Sequence, residues 1–161
     1  MILMGVSGSG KTTIGRLLAE RLNWQFYDGD KFHTRDNIEK MIKGVPLDEK
    51  DREPWLKSLR SRIKESAIED EDAILAVSAL TKAFRRELLK GFENVELFCL
   101  KGPYHLIRKR LEKRQDHYFK VDLLADQFKT FEEPEGIFMV DISQDPQVIV
   151  DQILARLSFS L

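Results

Sequence analysis

Short apolar runs alternate along the chain with longer segments in which apolar residues recur every three or four positions. The runs at 73–77, 95–100 and 137–142 are nearly continuous, which is typical of strands buried on both faces of a sheet. Shorter runs at 1–4 and 24–28 predict two more strands. Helical spacing predicts helices over 11–22, 34–43, 51–68, 82–90, 104–114 and 122–131, and a last one from 145 to about 157. Strands that alternate with helices predict an α/β fold built on a parallel sheet.

The composition is that of an ordinary globular protein. The 161 residues carry a formal net charge of −1, with 42% hydrophobic and 33% charged residues, and this balance favours neither a nucleic-acid partner nor an anionic membrane surface. No repeat or linker divides the chain, so we expect a single domain over residues 1–161. No apolar stretch is long enough to span a membrane, and the first four residues lack the basic start of a signal peptide. The single cysteine, Cys99, lies in an apolar run, so we expect a buried thiol in a reducing, cytoplasmic compartment.

The strongest chemical signal is the stretch Gly5-Val6-Ser7-Gly8-Ser9-Gly10-Lys11-Thr12, between the first predicted strand and the first predicted helix. It fits G-x-x-x-x-G-K-[ST], the Walker A loop that cradles the phosphates of a nucleoside triphosphate. Its glycines allow φ > 0 and a close approach of N–H groups to phosphate oxygens, and the helix that follows adds the positive end of its dipole. Lys11 can reach the β- and γ-phosphates, and the Thr12 hydroxyl can ligate Mg²⁺. We therefore predict a P-loop fold, a three-layer α/β/α sandwich with a five-stranded parallel sheet.

A pair of carboxylates follows the second predicted strand. Ligands of open parallel sheets bind beyond the C-terminal strand ends, where the sequence Asp28-Gly29-Asp30 lies. One carboxylate beside a phosphate site can hold the water shell of Mg²⁺, and the other can orient or deprotonate an acceptor hydroxyl. A simple Asp-Gly turn is the alternative.

Basic residues in the predicted helix at 104–114 form a second group of candidates, with Arg110 and Arg114 on one face. Guanidinium groups stabilise the charge that spreads over the oxygens of a transferring phosphoryl group, and a mobile lid that carries them would also exclude water. A solvated basic helix face is the alternative.

Polar residues around residue 80 offer a third group. Ser78 directly follows the third predicted strand, where it could contact a substrate or cap the next helix. Lys82 and Arg85 follow within two helical turns.

Arg52, His33 and His117 are single candidates. Arg52 could bind a substrate carboxylate with its forked guanidinium or make a surface ion pair. The two histidines lie in predicted loops and show no metal-ligand spacing with each other or with the cysteine.

These stretches together resemble the gluconokinase family, small P-loop carbohydrate kinases that are close in fold to shikimate and nucleoside-monophosphate kinases. The matching motifs are Met4 to Thr12; Asp28-Gly29-Asp30; His33 with Asn37-Ile38-Glu39-Lys40-Met41; Pro46-Leu47, Asp51-Arg52 and Pro54-Trp55-Leu56; Ser78-Ala79-Leu80 with Arg85; Leu100-Lys101-Gly102; Arg110-Leu111, Arg114 and His117; and Gln127-Phe128 with Glu133-Pro134. They run in the family's order from residue 4 to residue 134. The Walker A part is common to many unrelated enzymes, whereas its combination with the later motifs is specific.

The resemblance implies an enzyme that phosphorylates D-gluconate at O6 with MgATP, as a cytoplasmic homodimer. It implies ATP binding by the loop at 5–12, and Mg²⁺ bound by Thr12 and, through water, by Asp28. Lys11, Arg110 and Arg114 would neutralise the transferring group, and Asp30 would orient the attacking hydroxyl. The residues implied to contact gluconate are Asp30, His33, Arg52, Ser78, Lys82 and Arg85. The resemblance also implies a lid at about 114–131 and an adenine site near 142–146.

Two classes of alternative stay open at this point. The first is a kinase of the same fold for another acceptor, such as shikimate or a nucleotide, although a nucleotide would require more cationic and aromatic residues in the substrate helices. The second is a nucleotide switch or non-catalytic module, but the Asp-x-x-Gly and Asn-Lys-x-Asp strings of GTPase switches do not occur. One departure from the family is Thr81, where many members carry Lys; Lys82 would have to replace any contact made by that lysine.

Overall fold

A computed structural model describes residues 1–113 and 121–158. Within these residues five strands form one sheet: β1 (Ile2–Met4), β2 (Gln25–Asp28), β3 (Ala73–Ala76), β4 (Leu97–Lys101) and β5 (Phe138–Asp141). Their order is β2-β3-β1-β4-β5, and every neighbouring pair is parallel. The predicted five-stranded parallel sheet is confirmed.

The helices of the described residues follow the predicted order with small differences at their ends. They are α1 (Lys11–Leu22), α2 (Arg35–Ile42), α3 (Glu49–Ile68), α4 (Lys82–Leu89), α5 (Tyr104–Glu112), α6 (Leu124–Thr130) and α7 (Pro146–Ser158). Short 3₁₀ turns at Gly29–Phe32 and Val121–Leu123 precede α2 and α6. The predicted helix at 122–131 therefore begins as a 3₁₀ turn, and the end of the predicted helix at 104–114 lies outside the described residues.

Alternate residues of the central strands enter two separate cores. Leu3, Phe98 and Leu100 pack on one face with apolar side chains of α1, α5, α6 and α7. Met4 and Cys99 pack on the other face with side chains of α3 and α4. Because successive side chains of a strand point to opposite faces, two cores separated by one sheet give three layers. The predicted α/β/α sandwich is confirmed.

Capping determines where α3 begins. The Asp48 carboxylate accepts a hydrogen bond from the Asp51 N–H, and the Asp51 carboxylate accepts one from the Asp48 N–H. This reciprocal capping box satisfies N–H groups that the helix itself leaves unpaired. It places the first helical residue at Glu49 rather than at the predicted 51.

The sequence led to expectations about the Cys99 thiol and about membrane-spanning segments. Cys99 is buried in β4 and forms no disulfide within the described residues, and burial raises the pKa of its thiol to about 11. In the part of the chain that the structure describes, no helix has the length and apolar character needed to cross a membrane.

Candidate active site

The Walker A stretch forms a tight loop between the central strand β1 and the start of α1. Gly5, Gly8 and Gly10 have φ of 145°, 83° and 100°, so all three occupy the region that side chains disfavour. At Gly5 a Cβ would also lie 2.5 Å from the Leu100 carbonyl oxygen. The predicted need for glycine in this loop is therefore seen in its backbone.

The polar side chains of Lys11 and Ser9 belong to the same loop. The Lys11 ammonium donates to the carbonyl oxygens of Gly5 and Val6 at 2.9 and 3.0 Å. The Ser9 hydroxyl is buried and has no hydrogen-bond partner among the described residues. A buried hydroxyl without a partner costs about 1–3 kcal/mol, and a phosphate oxygen bound in the loop would supply one.

The two residues predicted to hold Mg²⁺ lie in contact. The Thr12 hydroxyl donates to Asp28 Oδ2 at 3.2 Å, and Asp28 Oδ1 accepts from the Asp30 N–H at 3.1 Å. A hydroxyl and a carboxylate beside a phosphate loop are oxygen donors of the kind Mg²⁺ takes together with phosphate and water. No group of three or more His, Cys, Asp or Glu side chains suited to a metal occurs in the described ranges.

Asp30 is held in place through its neighbour Gly29. A Cβ at Gly29 would lie 2.5 Å from the Ala76 carbonyl oxygen, so only glycine allows this turn to pack against the end of β3. The Gly29 carbonyl in turn accepts a 2.8 Å hydrogen bond from Trp55 Nε1 in α3. Strand, turn and helix together fix the backbone from which the Asp30 carboxylate extends.

A cavity of about 460 Å³ lies beside the Walker A loop; we call it the P-loop cavity. The loop itself, the turn after β2, the first turns of α3, the segment after β3 and α6 all line it. Its polar lining residues include Ser7, Asp30, His33, Glu49, Arg52, Glu53, Ser78, Thr81, Glu87, Asp126 and Gln127. The structure thus brings Asp30, His33, Arg52 and Ser78 of the predicted acceptor site together.

The described lining of the P-loop cavity contains more acidic than basic side chains. Among the described residues that line it, Arg52 is the one with a permanent positive charge, whereas several carboxylates, Asp30 among them, surround it. One guanidinium can bind one carboxylate in a bidentate fork, and carboxylates accept hydrogen bonds from hydroxyl groups. The lining therefore fits a ligand with a single acidic group and several hydroxyls.

His33 is held in one orientation by its surroundings. Its ring stacks on Trp55 with centroids 4.1 Å apart, and its Nδ1 lies 3.4 Å from Asn37 Nδ2, which also donates to the Asp51 carbonyl at 2.7 Å. Because an amide nitrogen only donates, Nδ1 accepts and the proton of the neutral ring resides on Nε2. Burial lowers the pKa of His33 to about 4, with Arg52 lowering it further and Asp30 opposing the shift. At neutral pH His33 is therefore an uncharged hydrogen-bond donor.

Ser78, Lys82 and Arg85 occupy different surroundings. The cap of α4 is the Thr81 hydroxyl, which accepts from the Phe84 N–H at 3.1 Å, so the alternative role of Ser78 as cap was wrong. Lys82 and Arg85 line a second, smaller cavity and not the P-loop cavity. The buried Arg85 guanidinium donates to the carbonyls of Ala79, Leu80 and Glu132. Lys82 and Arg85 lie on a different face of α4 from the residues that line the P-loop cavity. The structure therefore does not bring these two side chains together with the other residues predicted to contact the acceptor.

Arg110 lies beside the Walker A loop. Its Nη2 donates to the Ile142 carbonyl at 2.8 Å, and a Cβ built on Gly10 would come within 3.9 Å of its Nη1. Arg114 and His117, the other candidates from this segment, lie outside the described residues.

Sequence reasoning gave no place in this site to two of its side chains. Trp55 lies in the core on this face of the sheet, and its indole also supports both Gly29 and His33. Gln127 received no role, although its Oε1 accepts a hydrogen bond from the Ser7 N–H at 2.6 Å. Its place among the family motifs was the available signal, but no local pattern shows that this residue reaches the loop.

Comparison with known proteins agrees with the geometry. A family model described as Shikimate kinase matches residues 7–157. The thermoresistant gluconokinase of Escherichia coli (strain K12) is 39% identical over 153 residues, which cover 92% of this chain and 87% of that protein. The chain belongs to the gluconokinase family. The resemblance predicted from the motifs is confirmed.

Solved structures agree with the membership of the family. A gluconokinase from Sinorhizobium meliloti 1021 superposes with a TM-score of 0.86 at 34% identity, over 98% of this chain and 90% of that one. A sugar kinase from Janibacter sp. HTCC2649 gives a TM-score of 0.91 at 36% identity, over 98% and 92% of the two chains. The predicted P-loop kinase fold is confirmed.

Proposed function

We propose that this chain transfers a phosphoryl group from ATP to O6 of D-gluconate, giving 6-phospho-D-gluconate and ADP. The observation that carries the proposal is the P-loop cavity, in which Asp30 and Arg52 lie in the same lining as Ser7 of the phosphate loop. Membership of the gluconokinase family supports the choice of acceptor.

Nucleotide and metal are assigned to the Walker A loop and the residues beside it. Residues Gly5, Val6, Ser7, Gly8, Ser9, Gly10, Lys11 and Thr12 would hold the ATP phosphates, and the buried Ser9 hydroxyl fits such a ligand. Thr12 and, through water, Asp28 would hold Mg²⁺, which neutralises phosphate charge when bound. The contact between the two side chains supports this assignment.

Recognition of gluconate is assigned to one cationic side chain and to several hydrogen-bonding side chains that line the same cavity. Arg52 would bind the carboxylate, because it is the cation of the described lining. Asp30 would accept a hydrogen bond from the attacking hydroxyl and orient its oxygen toward the phosphate loop. The Nε2–H of His33 and the Ser78 side chain would contact further hydroxyls.

Stabilisation of the negative charge on the transferring phosphoryl group is assigned to Lys11 and Arg110, with Arg114 as a further catalytic candidate. Negative charge spreads over the phosphoryl oxygens during transfer, and cations fixed beside the loop stabilise it without reorganisation. The ammonium of Lys11 and the guanidinium of Arg110 both lie against the loop.

The remaining proposals concern the whole molecule. We infer one domain over residues 1–161 with a lid at about 114–131, of which 121–131 is described, and an adenine site near 142–146. We also propose that the chain acts as a homodimer in the cytoplasm and binds neither nucleic acid nor a membrane.

The decisive experiment measures ADP release from MgATP with a panel of acceptors: D-gluconate, shikimate, other sugar acids and nucleoside monophosphates. We expect turnover with gluconate to exceed that with every other acceptor, and ³¹P NMR of the product to show a phosphomonoester at C6. Preferred turnover of shikimate or of a nucleotide would replace gluconate as the acceptor. ATP binding without transfer to any of them would contradict the kinase assignment.

A further inference from the structure

Asn37 of α2 is a buried polar residue that contacts two parts of the acceptor region. Only 2% of the residue is exposed. Its Nδ2 donates to the Asp51 carbonyl at 2.7 Å and lies 3.4 Å from His33 Nδ1. His33 lines the P-loop cavity, and so does Arg52, which directly follows Asp51. One carboxamide therefore joins two neighbouring parts of the cavity wall.

The Asp51 carbonyl determines which way this carboxamide faces. A backbone carbonyl oxygen only accepts hydrogen bonds, so the group 2.7 Å from it is the NH₂ and not the amide oxygen of Asn37. The same NH₂ then faces Nδ1 of His33. A protonated Nδ1 would oppose this donor, whereas an unprotonated Nδ1 accepts from it. The backbone at the start of α3 thus sets, through Asn37, which ring nitrogen of His33 carries the proton.

We propose, on the basis of the function proposed above, that Asn37 is a positioning residue that sets the tautomer of His33. It keeps the ring proton on Nε2, the nitrogen that Asn37 leaves to the cavity, so that the ring donates to a hydroxyl oxygen of the acceptor. The other tautomer would offer a lone pair instead, in a lining whose carboxylates already accept hydrogen bonds. Because a hydroxyl both donates and accepts, the neutral donor completes its recognition.

Helix α2 has further contacts that hold it in place. The Thr34 hydroxyl caps the helix by accepting from the Asn37 N–H, and the Met41 side chain is buried. The Lys40 ammonium donates to the Asp51 carboxylate at 2.6 Å. Substitutions of similar size at 37 should therefore leave the helix in place, so that changes at the ring report on the carboxamide itself.

The first experiment is ¹H–¹⁵N NMR of the histidine rings in the free full chain, which distinguishes protonated from unprotonated ring nitrogens. At about pH 8.5, about two units above the ordinary histidine pKa, His33 of the wild type should be the Nε2–H tautomer; loss of its signals in His33→Phe identifies them. The charged groups that act on the ring are Asp30, from the turn after β2, and Arg52, from α3, and both are present in every variant at position 37.

Two substitutions of Asn37 change the donor in different ways. In Asn37→Asp a carboxylate replaces the donor, so we expect the ring proton on Nδ1, where it donates to that carboxylate. In Asn37→Leu the donor is lost without a new charge, and we expect a mixture of the two tautomers. The matched controls are Asn94→Asp and Asn94→Leu, at an exposed position between α4 and β4, which should keep the wild-type signals of His33.

The second experiment is calorimetric titration with D-gluconate at the same pH. Asn37→Asp should raise the Kd about fivefold or more, the change expected for one lost hydrogen bond. The loss should be smaller when Asn37→Asp is combined with His33→Phe, because no ring nitrogen is then left for residue 37 to control. A merely structural residue would cause the same loss in both backgrounds.

An Nδ1–H ring in the wild type, or an unchanged Nε2–H ring in both variants at position 37, would overturn the inference. An equal loss of gluconate affinity with and without the His33 ring would also overturn it. Absence of gluconate binding to the wild type would instead contradict the proposed acceptor. The inference would then be decided by the NMR spectra, which require no ligand.

Discussion

The indole Nε1 of Trp55 donates a 2.8 Å hydrogen bond to the carbonyl oxygen of Gly29, the residue between the two aspartates. The same indole stacks on His33 at 4.1 Å. A single residue of α3 therefore supports two walls of the P-loop cavity, the turn that carries Asp30 and the ring of His33.

Replacing Trp55 by Phe should lower both stability and turnover. The substitution keeps an aromatic ring but leaves the Gly29 carbonyl without its donor, which should cost about 1–3 kcal/mol of the free energy of unfolding. Urea denaturation and kcat measure the two effects. Trp24→Phe is the control, because Trp24 packs against the core on the other face of the sheet; an equal loss of kcat there would remove the special role of Trp55.

Asp30→Asn should lower kcat by about 10² or more, because the amide cannot orient the acceptor hydroxyl as a carboxylate acceptor does. Calorimetry should show nearly unchanged binding of MgATP. The control is Asp36→Asn, an exposed aspartate of α2. Turnover close to that of the wild type would eliminate Asp30 as a catalytic residue.

Lys11→Ala should also lower kcat by about 10² or more, since it removes a fixed positive charge from the phosphate loop. Steady-state kinetics with saturating substrates measure the loss. Lys64→Ala, at an exposed position of α3, should behave as the wild type. If both variants turned over gluconate at the same rate, the assigned role of Lys11 would be wrong.

Arg52→Ala should raise the KM for gluconate by roughly 10- to 100-fold, the range expected for a lost hydrogen bond between charged groups, and change kcat much less. Arg52→Lys should recover part of the affinity, because it restores charge without the bidentate fork. Arg35→Ala is the control, since the Arg35 side chain is 91% exposed. An unchanged KM in Arg52→Ala would contradict the assignment of Arg52 to the gluconate carboxylate.

His33 should make stability depend on pH below neutrality. Its pKa is about 4 in the folded protein, against 6.5 for an unperturbed histidine, chiefly because burial disfavours the charged ring. The unfolded chain therefore binds the extra proton first, and the contribution of neutral His33 is complete above pH 6.5 and is lost as pH falls toward 4.

Urea denaturation between pH 7.5 and 4.5 tests this dependence. His33→Phe keeps a ring against Trp55 but removes the titration, so its free energy of unfolding should fall less steeply with acid than that of the wild type. His105→Gln, at an exposed position of α5, is the control for the replacement of a histidine. Identical slopes for His33→Phe and the wild type would contradict the lowered pKa.

The ends of the elements show why prediction from sequence was good but incomplete. Apolar runs in the sequence located every strand of the described sheet, because such a run is a local property of the chain. The run at 95–100 placed the start of β4 at 95, whereas the strand begins at Leu97, since hydrogen bonding to β1 and β5 decides where pairing starts. The sequence left the cap of α4 open, and the structure gives that role to Thr81.

The sequence by itself determined the phosphate loop, the order of strands and helices, and the family, because these depend on residue types at fixed spacings. Only the tertiary structure decided which side chains meet. It turned Arg85 toward backbone carbonyls and away from the P-loop cavity. It also brought Gln127 to Ser7, from which it is separated by 120 positions in the sequence. The direction of a side chain depends on the packing of its whole element against others, and no local pattern in the chain contains that information.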